Sequence, residues 1–242
     1  AAGVSFADIS TGELHATFLS GKNPEELTAS LQNELSRFSP REILVSSGVL
    51  DLTGLPKFIK ERLSASLELL DDGRFDPQAS ASAVEGQFGK SLEDLGLADK
   101  PEITGALGAL LGYLKETERT GLERMDKVDL YSGAQYMRLN LTARRNLELF
   151  ETMRGKEKRG SLLWVLDRTR TPMGKRLIRA WMERPLLNPA PIGRRLSAVE
   201  ELTKDSILRD SLSEQLTGVH DLERLMSRIV YGSANGRELR SL

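Results

Sequence analysis

Residues Gly160 to Pro185 read Gly-Ser-Leu-Leu-Trp-Val-Leu-Asp-Arg-Thr-Arg-Thr-Pro-Met-Gly-Lys-Arg-Leu-Ile-Arg-Ala-Trp-Met-Glu-Arg-Pro. Ser161 suits the N-cap of a short apolar helix over Leu162 to Leu166, because its hydroxyl accepts an amide that the first turn leaves unbonded. A polar break follows. Thr171 then caps a second helix with Pro172 in the first turn, where the missing N–H costs little. Met173, Leu177, Ile178 and Trp181 recur at helical spacing and predict a stripe that packs as bundle core. Lys175, Arg176, Arg179 and Glu183 line the other side. That side reads as a solvated or ion-paired face, with contacts from Lys175, Arg176 and Arg179 to a DNA backbone as the alternative.

Downstream, helix follows helix. Ile192, Leu196, Val199 and Leu202 give one, Leu208, Leu212 and Leu216 another, and Val219, Leu222, Leu225, Met226 and Ile229 a third. Gly232 ends it, and Asn235 with Glu238 three residues on predicts a capping box. That last helix is cut by Leu242, which suggests a piece of a longer protein. His220 precedes Asp221-Leu222-Glu223-Arg224 with no partner at ligand spacing and reads as a surface or capping residue. Immediately upstream, the text turns helical from Thr142, with Ala143, Leu147 and Phe150 on one side. Arg144 and Glu148, four apart, can pair along that helix.

The first half is different. Val4 to Ile9 and Leu14 to Leu19 flank the turn Ser10-Thr11-Gly12-Glu13 and predict a hairpin. Asn23-Pro24 starts a helix with Leu27, Leu31, Leu35 and Phe38 inward, stopped by Pro40. Glu42 to Ser46 and Ser66 to Leu70 read as strands, and Phe58, Ile59 and Leu63 as a helix between them. Pro77 to Phe88 has a weak helical stripe, whereas Ile103, Leu107, Leu110, Leu111 and Leu114 have a clear one. Strands alternating with helices after a hairpin predict an α/β domain with a mixed sheet. Lys115 to Asp129 is charge-dense, contains Gly121, and reads as a connector. Tyr136 to Leu139 reads as a short extended piece. The expected division is an α/β domain over 1–125, a linker over 126–135 and an all-α helical domain over 136–242.

Composition narrows the chemistry. A hydrophobic fraction of 39% beside a charged fraction of 29% is that of a folded, soluble chain. No cysteine is present, which removes disulfides, thiolate zinc sites and cysteine nucleophiles. With His15 and His220 the only histidines, a histidine metal site is not expected. No apolar run reaches membrane length and no signal-peptide pattern occurs, so the expected compartment is the cytoplasm. Residues 1–125 hold 12 Lys/Arg against 20 Asp/Glu, and the remaining residues 22 against 15. An acidic half joined to a basic half points to two modules with different neighbours.

Two motifs in the acidic half invite catalytic readings. Gly86-Gln87-Phe88-Gly89-Lys90-Ser91 ends like a phosphate-binding loop, but the position of its first glycine is Val84 and no apolar strand precedes it. It reads as a surface loop. Asp8 ends the first strand, where a nuclease of ribonuclease-H type would hold metal. Such chemistry needs further convergent carboxylates, with Glu42, Glu68, Asp71 and Asp72 as candidates. A turn aspartate bonding nearby backbone is the simpler reading.

Several stretches together resemble one family. Leu141-Thr142-Ala143-Arg144-Arg145-Asn146-Leu147-Glu148-Leu149, Ser161 to Asp167 with Trp164, Thr171-Pro172-Met173-Gly174-Lys175-Arg176 and Trp181 to Leu186 resemble the start of the core domain of MutS, the DNA mismatch-recognition ATPases. Asp221-Leu222-Glu223-Arg224 with Ser227-Arg228-Ile229 continues the match. Asp8 to Glu13, Pro40 to Leu44 and Gly112-Tyr113-Leu114 are similar to the family's connector domain. The resemblance implies a ribonuclease-H-like connector that is not a nuclease, followed by the first part of the helical lever. It implies a non-catalytic piece with no cofactor of its own, in a parent that uses ATP and magnesium, forms a homodimer, binds mismatched DNA and meets MutL through the connector. The family's Phe-x-Glu wedge and Walker-type ATPase motifs do not occur in the sequence. A magnesium-dependent nuclease using Asp8 and a weak, non-specific DNA-binding helical module stand as the alternatives.

Overall fold

Alternating small and large residues build the first sheet. Strands β1 (Ala2–Asp8) and β2 (Glu13–Leu19) pair antiparallel from Ala2↔Leu19 to Asp8↔Glu13. The structure is a computed structural model and describes residues 1–117, 122–133, 136–137 and 139–240. Gly121, Arg138 and Leu242, and residues 134–135 of the expected linker, lie outside the described residues. The chain divides into two units, Ala1–Tyr131 and Ser132–Leu242.

In the first unit, α1 (Pro24–Phe38) starts as expected: the Asn23 side chain accepts from the Glu26 amide at 2.8 Å. Strand β3 (Glu42–Val45) follows, then the short helices α2 (Ser47–Leu50) and α3 (Leu55–Phe58) and a π-helical turn over Ile59–Leu63. Strand β4 (Ser66–Leu69) lies parallel to β3. Helices α4 (Pro77–Phe88) and α5 (Pro101–Thr117) complete the layer. Val4 and Phe6 pack with Leu31, Leu35, Ile43, Val45, Leu55 and Ile59, and the Phe6 and Phe38 rings stack at 3.8 Å. The intervening residues of β1 face α5. The Ser5 hydroxyl donates to the Ala106 carbonyl at 2.9 Å, and a Cβ on Gly3 would lie 1.9 Å from the Glu102 carbonyl oxygen. Leu14, Ala16, Val84, Phe88, Leu107 and Leu111 close that second core. Helices therefore pack against both faces of β1, and the described strands form two sheets, β1-β2-β5 and β3-β4.

The linker expected from residue 126 begins later. Strand β5 (Asp129–Leu130) pairs parallel with β2, the Tyr131 amide donates to the Ala16 carbonyl at 3.1 Å, and Met125 and Tyr131 are buried. Two residues in a charged stretch carry no strand signature; the nonlocal ladder with β2 supplies the reason they are extended.

The second unit is mostly helical: α6 (Leu141–Asn146), α7 (Leu162–Leu166), α8 (Pro172–Glu183), α9 (Pro189–Lys204), α10 (Ser206–Leu216), α11 (Leu222–Val230) and α12 (Gly236–Leu239). Tyr136 forms an isolated bridge to Leu186, and the Met137 amide donates to the Pro185 carbonyl at 2.8 Å. Asn235 and Glu238 make the predicted capping box. Few side chains are buried here: Leu149, Ser161, Thr171 and Ser227 among the described residues.

Candidate functional site

Asp8 behaves as a turn residue. Its carboxylate accepts from the Ser10 amide at 2.8 Å and the Ser10 hydroxyl at 2.6 Å, and its carbonyl accepts from the Gly12 amide at 2.8 Å. The other carboxylates are occupied elsewhere. Asp72 accepts from the Ser47 amide and hydroxyl, which holds its carboxyl below the usual range. Asp71 accepts from the Gly73 amide at 2.8 Å, and Glu42 and Glu68 share the Tyr113 hydroxyl at 2.8 and 3.3 Å. Among the described residues no group of three acidic or histidine side chains is placed to hold a metal ion. Gly86 to Ser91 is the end of α4: Gly89 takes the left-handed C-cap at φ 63° and Ser91 donates to Asp94. A shallow depression there is lined by Glu85, Lys90 and Asp94, two carboxylates to one lysine, which does not suit a phosphate cradle. His15 lies 3.0 Å from Asp129, and His220 is exposed.

The motif Gly160 to Pro185 is a corner made by caps. Ser161, buried, donates to the Lys158 carbonyl and accepts from the Trp164 amide at 3.2 Å. The next amides, of Leu162 and Leu163, donate to the carbonyls of Glu148 and Leu149, both at 2.9 Å. This explains why α6 ends at Asn146, short of the helix predicted through Phe150. Carbonyls that would have continued α6 instead satisfy the free first turn of α7. Glu148 takes φ 47°, and its carboxylate accepts from the Met153 amide at 2.7 Å. Arg144 donates to the Leu139 carbonyl at 3.1 Å. Asp167 receives Thr169, and Thr171 accepts from the Gly174 amide at 3.0 Å. A Cβ on Gly174 would lie 3.0 Å from the Thr171 oxygen, so glycine lets the cap close. Thr171→Ala is expected to cost about 1 kcal/mol, read as a lowered urea midpoint of the helical unit.

The three basic residues of α8 differ. Arg176 is clasped to α11: its guanidinium donates to both Asp221 oxygens at 2.7 Å and also meets Glu223. Asp221 caps α11 at the same time, accepting from the Arg224 amide. The bond to Asp221 raises Arg176 above the ordinary guanidinium value and holds Asp221 below the usual carboxylate range. Arg179 pairs with Glu183 at 2.9 Å and lies 4.5 Å over the Phe150 ring. Lys175 is exposed. The face expected to be solvated or ion-paired is thus one clasp, one ion pair and one exposed lysine. The signal for the clasp in the sequence is faint, since its partners stand 45 and 47 residues away.

The predicted apolar stripe of α8 is formed but not fully buried. Met173 and Ile178 are half-buried, Leu177 is 51% exposed and Trp181 42%, the last carrying Arg195 at 3.6 Å over its ring. Leu196, Val199 and Ile207 on α9 and α10 are more exposed still. The correction to the bundle-core reading is physical: the described helices of this unit do not fully cover the stripe. Among the described residues no helix is long and apolar enough to cross a membrane.

Comparison with known proteins agrees with this division. The family model for MutS domain II matches residues 1–128, and that for MutS domain III matches residues 142–242. The DNA mismatch repair protein MutS of Alkaliphilus oremlandii is 40% identical over 99% of this chain, and that of Caldanaerobacter subterraneus 41% over 99%. The chain spans 27% of the length of each of these relatives. With an α/β unit and a helical unit in the order of the two matched domains, the chain belongs to the MutS family.

Proposed function

We propose that this chain serves, within a whole mismatch-repair protein, as a connector joined to the opening of the core lever, and that it works without catalysis of its own. The observation that carries the reading is the tiling of two family domains, in order, over two structural units. The first unit would then be the ribonuclease-H-like connector; its opening hairpin and its parallel β3–β4 pair support that fold. In this reading, mismatch recognition and the use of ATP with magnesium belong to other parts of a homodimeric parent, which places it in the cytoplasm on mismatched DNA. The chain carries conformational change between those parts. A clasp such as Arg176 to Asp221 and Glu223 suits this role, because it makes two helices move as one body. The connector also offers a docking surface for MutL. The nuclease reading has little support, since Asp8 is spent on its own turn.

The test uses the chain of 242 residues. Immobilised, it is expected to retain MutL. In solution it is expected to leave duplex DNA uncut with magnesium and to show no preference for a mismatched over a matched duplex. Failure to retain MutL would remove the docking role. Magnesium-dependent cleavage lost in Asp8→Ala would revive the nuclease. Mismatch preference would show that the reader lies within this chain.

A further inference from the structure

The outer edge of β4 is built as a template for another strand. β4 pairs with β3 on one side and is the last strand of its sheet among the described residues. All four of its residues are exposed, Leu69 at 55% and Leu67 at 36%. The Ser66 amide donates to the Arg41 carbonyl at 2.9 Å, and the Leu70 amide to the Val45 carbonyl at 3.0 Å. Backbone direction alternates along a strand, so Glu68 also faces β3, while Leu67 and Leu69 direct their N–H and C=O groups away from it. Among the described residues those groups form an unpaired ladder edge.

Side chains alternate as well, and sort the edge into two lanes. Leu67 and Leu69 are in register with Ile43 and Val45, which are buried, so they extend the apolar face outward. Glu68 lies on the opposite face, where Tyr113 of α5 donates to it and to Glu42. Arg74 and Glu116 pair at 2.8 Å, and the charges of Glu68 and Asp71 reach Arg74 as well. The hydrogen bond to Glu42, desolvation and the charge of both glutamates push the Tyr113 hydroxyl up to about 12. A second copy of β4 is a poor occupant: antiparallel pairing centred on Glu68 would set one Glu68 against the other, and like charges opposite each other destabilise a sheet.

We propose that the β4 edge accepts an extended peptide segment of a partner protein, with apolar and basic residues alternating, as an added strand. Main-chain hydrogen bonds to Leu67 and Leu69 supply affinity, the two leucines accept the apolar residues, and Glu68 selects the basic one. The inference goes beyond the MutL reading and does not rest on it; retention of MutL tests the whole surface, and a peptide tests this edge.

The experiment titrates the full chain, labelled with nitrogen-15, with a fluorescent nonapeptide of alternating valine and lysine. Comparators are a valine–glutamate peptide and the lysine peptide N-methylated at alternate amides. Binding of the lysine peptide is expected to slow hydrogen exchange at the Leu67 and Leu69 amides and leave Glu68 unchanged. N-methylation should weaken it by about tenfold or more. Glu68→Lys should shift preference to the glutamate peptide. Leu69→Pro removes an outward N–H that β3 does not use, and should weaken binding by about tenfold with the thermal midpoint kept. Absence of binding, equal binding of the N-methylated peptide, or exchange changes confined to other residues would overturn the proposal. If Leu69→Pro unfolds the unit, the exchange pattern of the unmodified chain decides.

Discussion

Replacing Gly108 by leucine is expected to lower the unfolding free energy of the α/β unit by about 3 kcal/mol. Gly108 lies on the face of α5 that α4 crosses. A Cβ built there would stand 2.2 Å from Ser80 Cβ, 2.3 Å from its hydroxyl oxygen and 2.7 Å from its Cα. A backbone atom cannot swing aside, so α4 as a whole must move outward. That movement loosens Val84 and Phe88 against Leu107 and Leu111, which are buried together. Higher helix propensity of leucine over glycine returns about 1 kcal/mol at most, less than the overlap costs. Gly112 is the control. It sits one turn further along the same helix with nothing within 4 Å of its Cβ position. Gly112→Ala is therefore expected to raise stability by up to about 1 kcal/mol. Urea unfolding followed by circular dichroism reads both. Equal midpoints for Gly108→Leu and the unmodified chain would show that the α4–α5 approach is not tight.

Arg176→Ala is expected to destabilise the helical unit by about 2 kcal/mol, since it removes a charge-assisted fork and leaves Asp221 partly shielded from water. The Asp221 side chain is 19% exposed and that of Arg176 30%, while Glu223 at 43% adds little through solvent. The pH dependence identifies the cause. Asp221 has its folded value lowered, chiefly by the hydrogen bond from Arg176. A lowered carboxylate contributes stability that is fully present above its unfolded value of about 4, and that is lost as pH falls through the folded value. Stability of the unmodified unit should therefore drop as pH falls below about 4, and the drop should be shallower in Arg176→Ala. Parallel pH curves would assign the loss to packing of the arginine stem instead.

Local chemistry made much of the architecture legible. Asn23-Pro24, Ser161, Thr171-Pro172 and Asn235 with Glu238 are caps whose partners lie within four residues, and each is found in place. The hairpin of β1 and β2 was readable because Gly12 supplies the turn's φ of 79° between alternating strands. What escaped the sequence is nonlocal. Strand β5 exists because β2 pairs with it from more than a hundred residues away. Helix α6 stops early where the Glu148 and Leu149 carbonyls, just past its end, accept from the first amides of α7. The Arg176 clasp and the Tyr113 bridge join residues that no spacing rule connects. The stripe of Met173, Leu177, Ile178 and Trp181 shows the converse: periodicity gives an apolar face and says nothing of what covers it.

If the chain transmits conformational change as proposed, nucleotide turnover by a full-length MutS protein carrying Arg176→Ala reads that transmission. Turnover with nucleotide alone should stay close to that of the unmodified protein. Stimulation by a mismatched duplex should fall by about fivefold or more, the size of a typical coupling between sites. Undiminished stimulation, with the clasp shown broken by its flattened acid transition, would show that the chain does not carry this coupling.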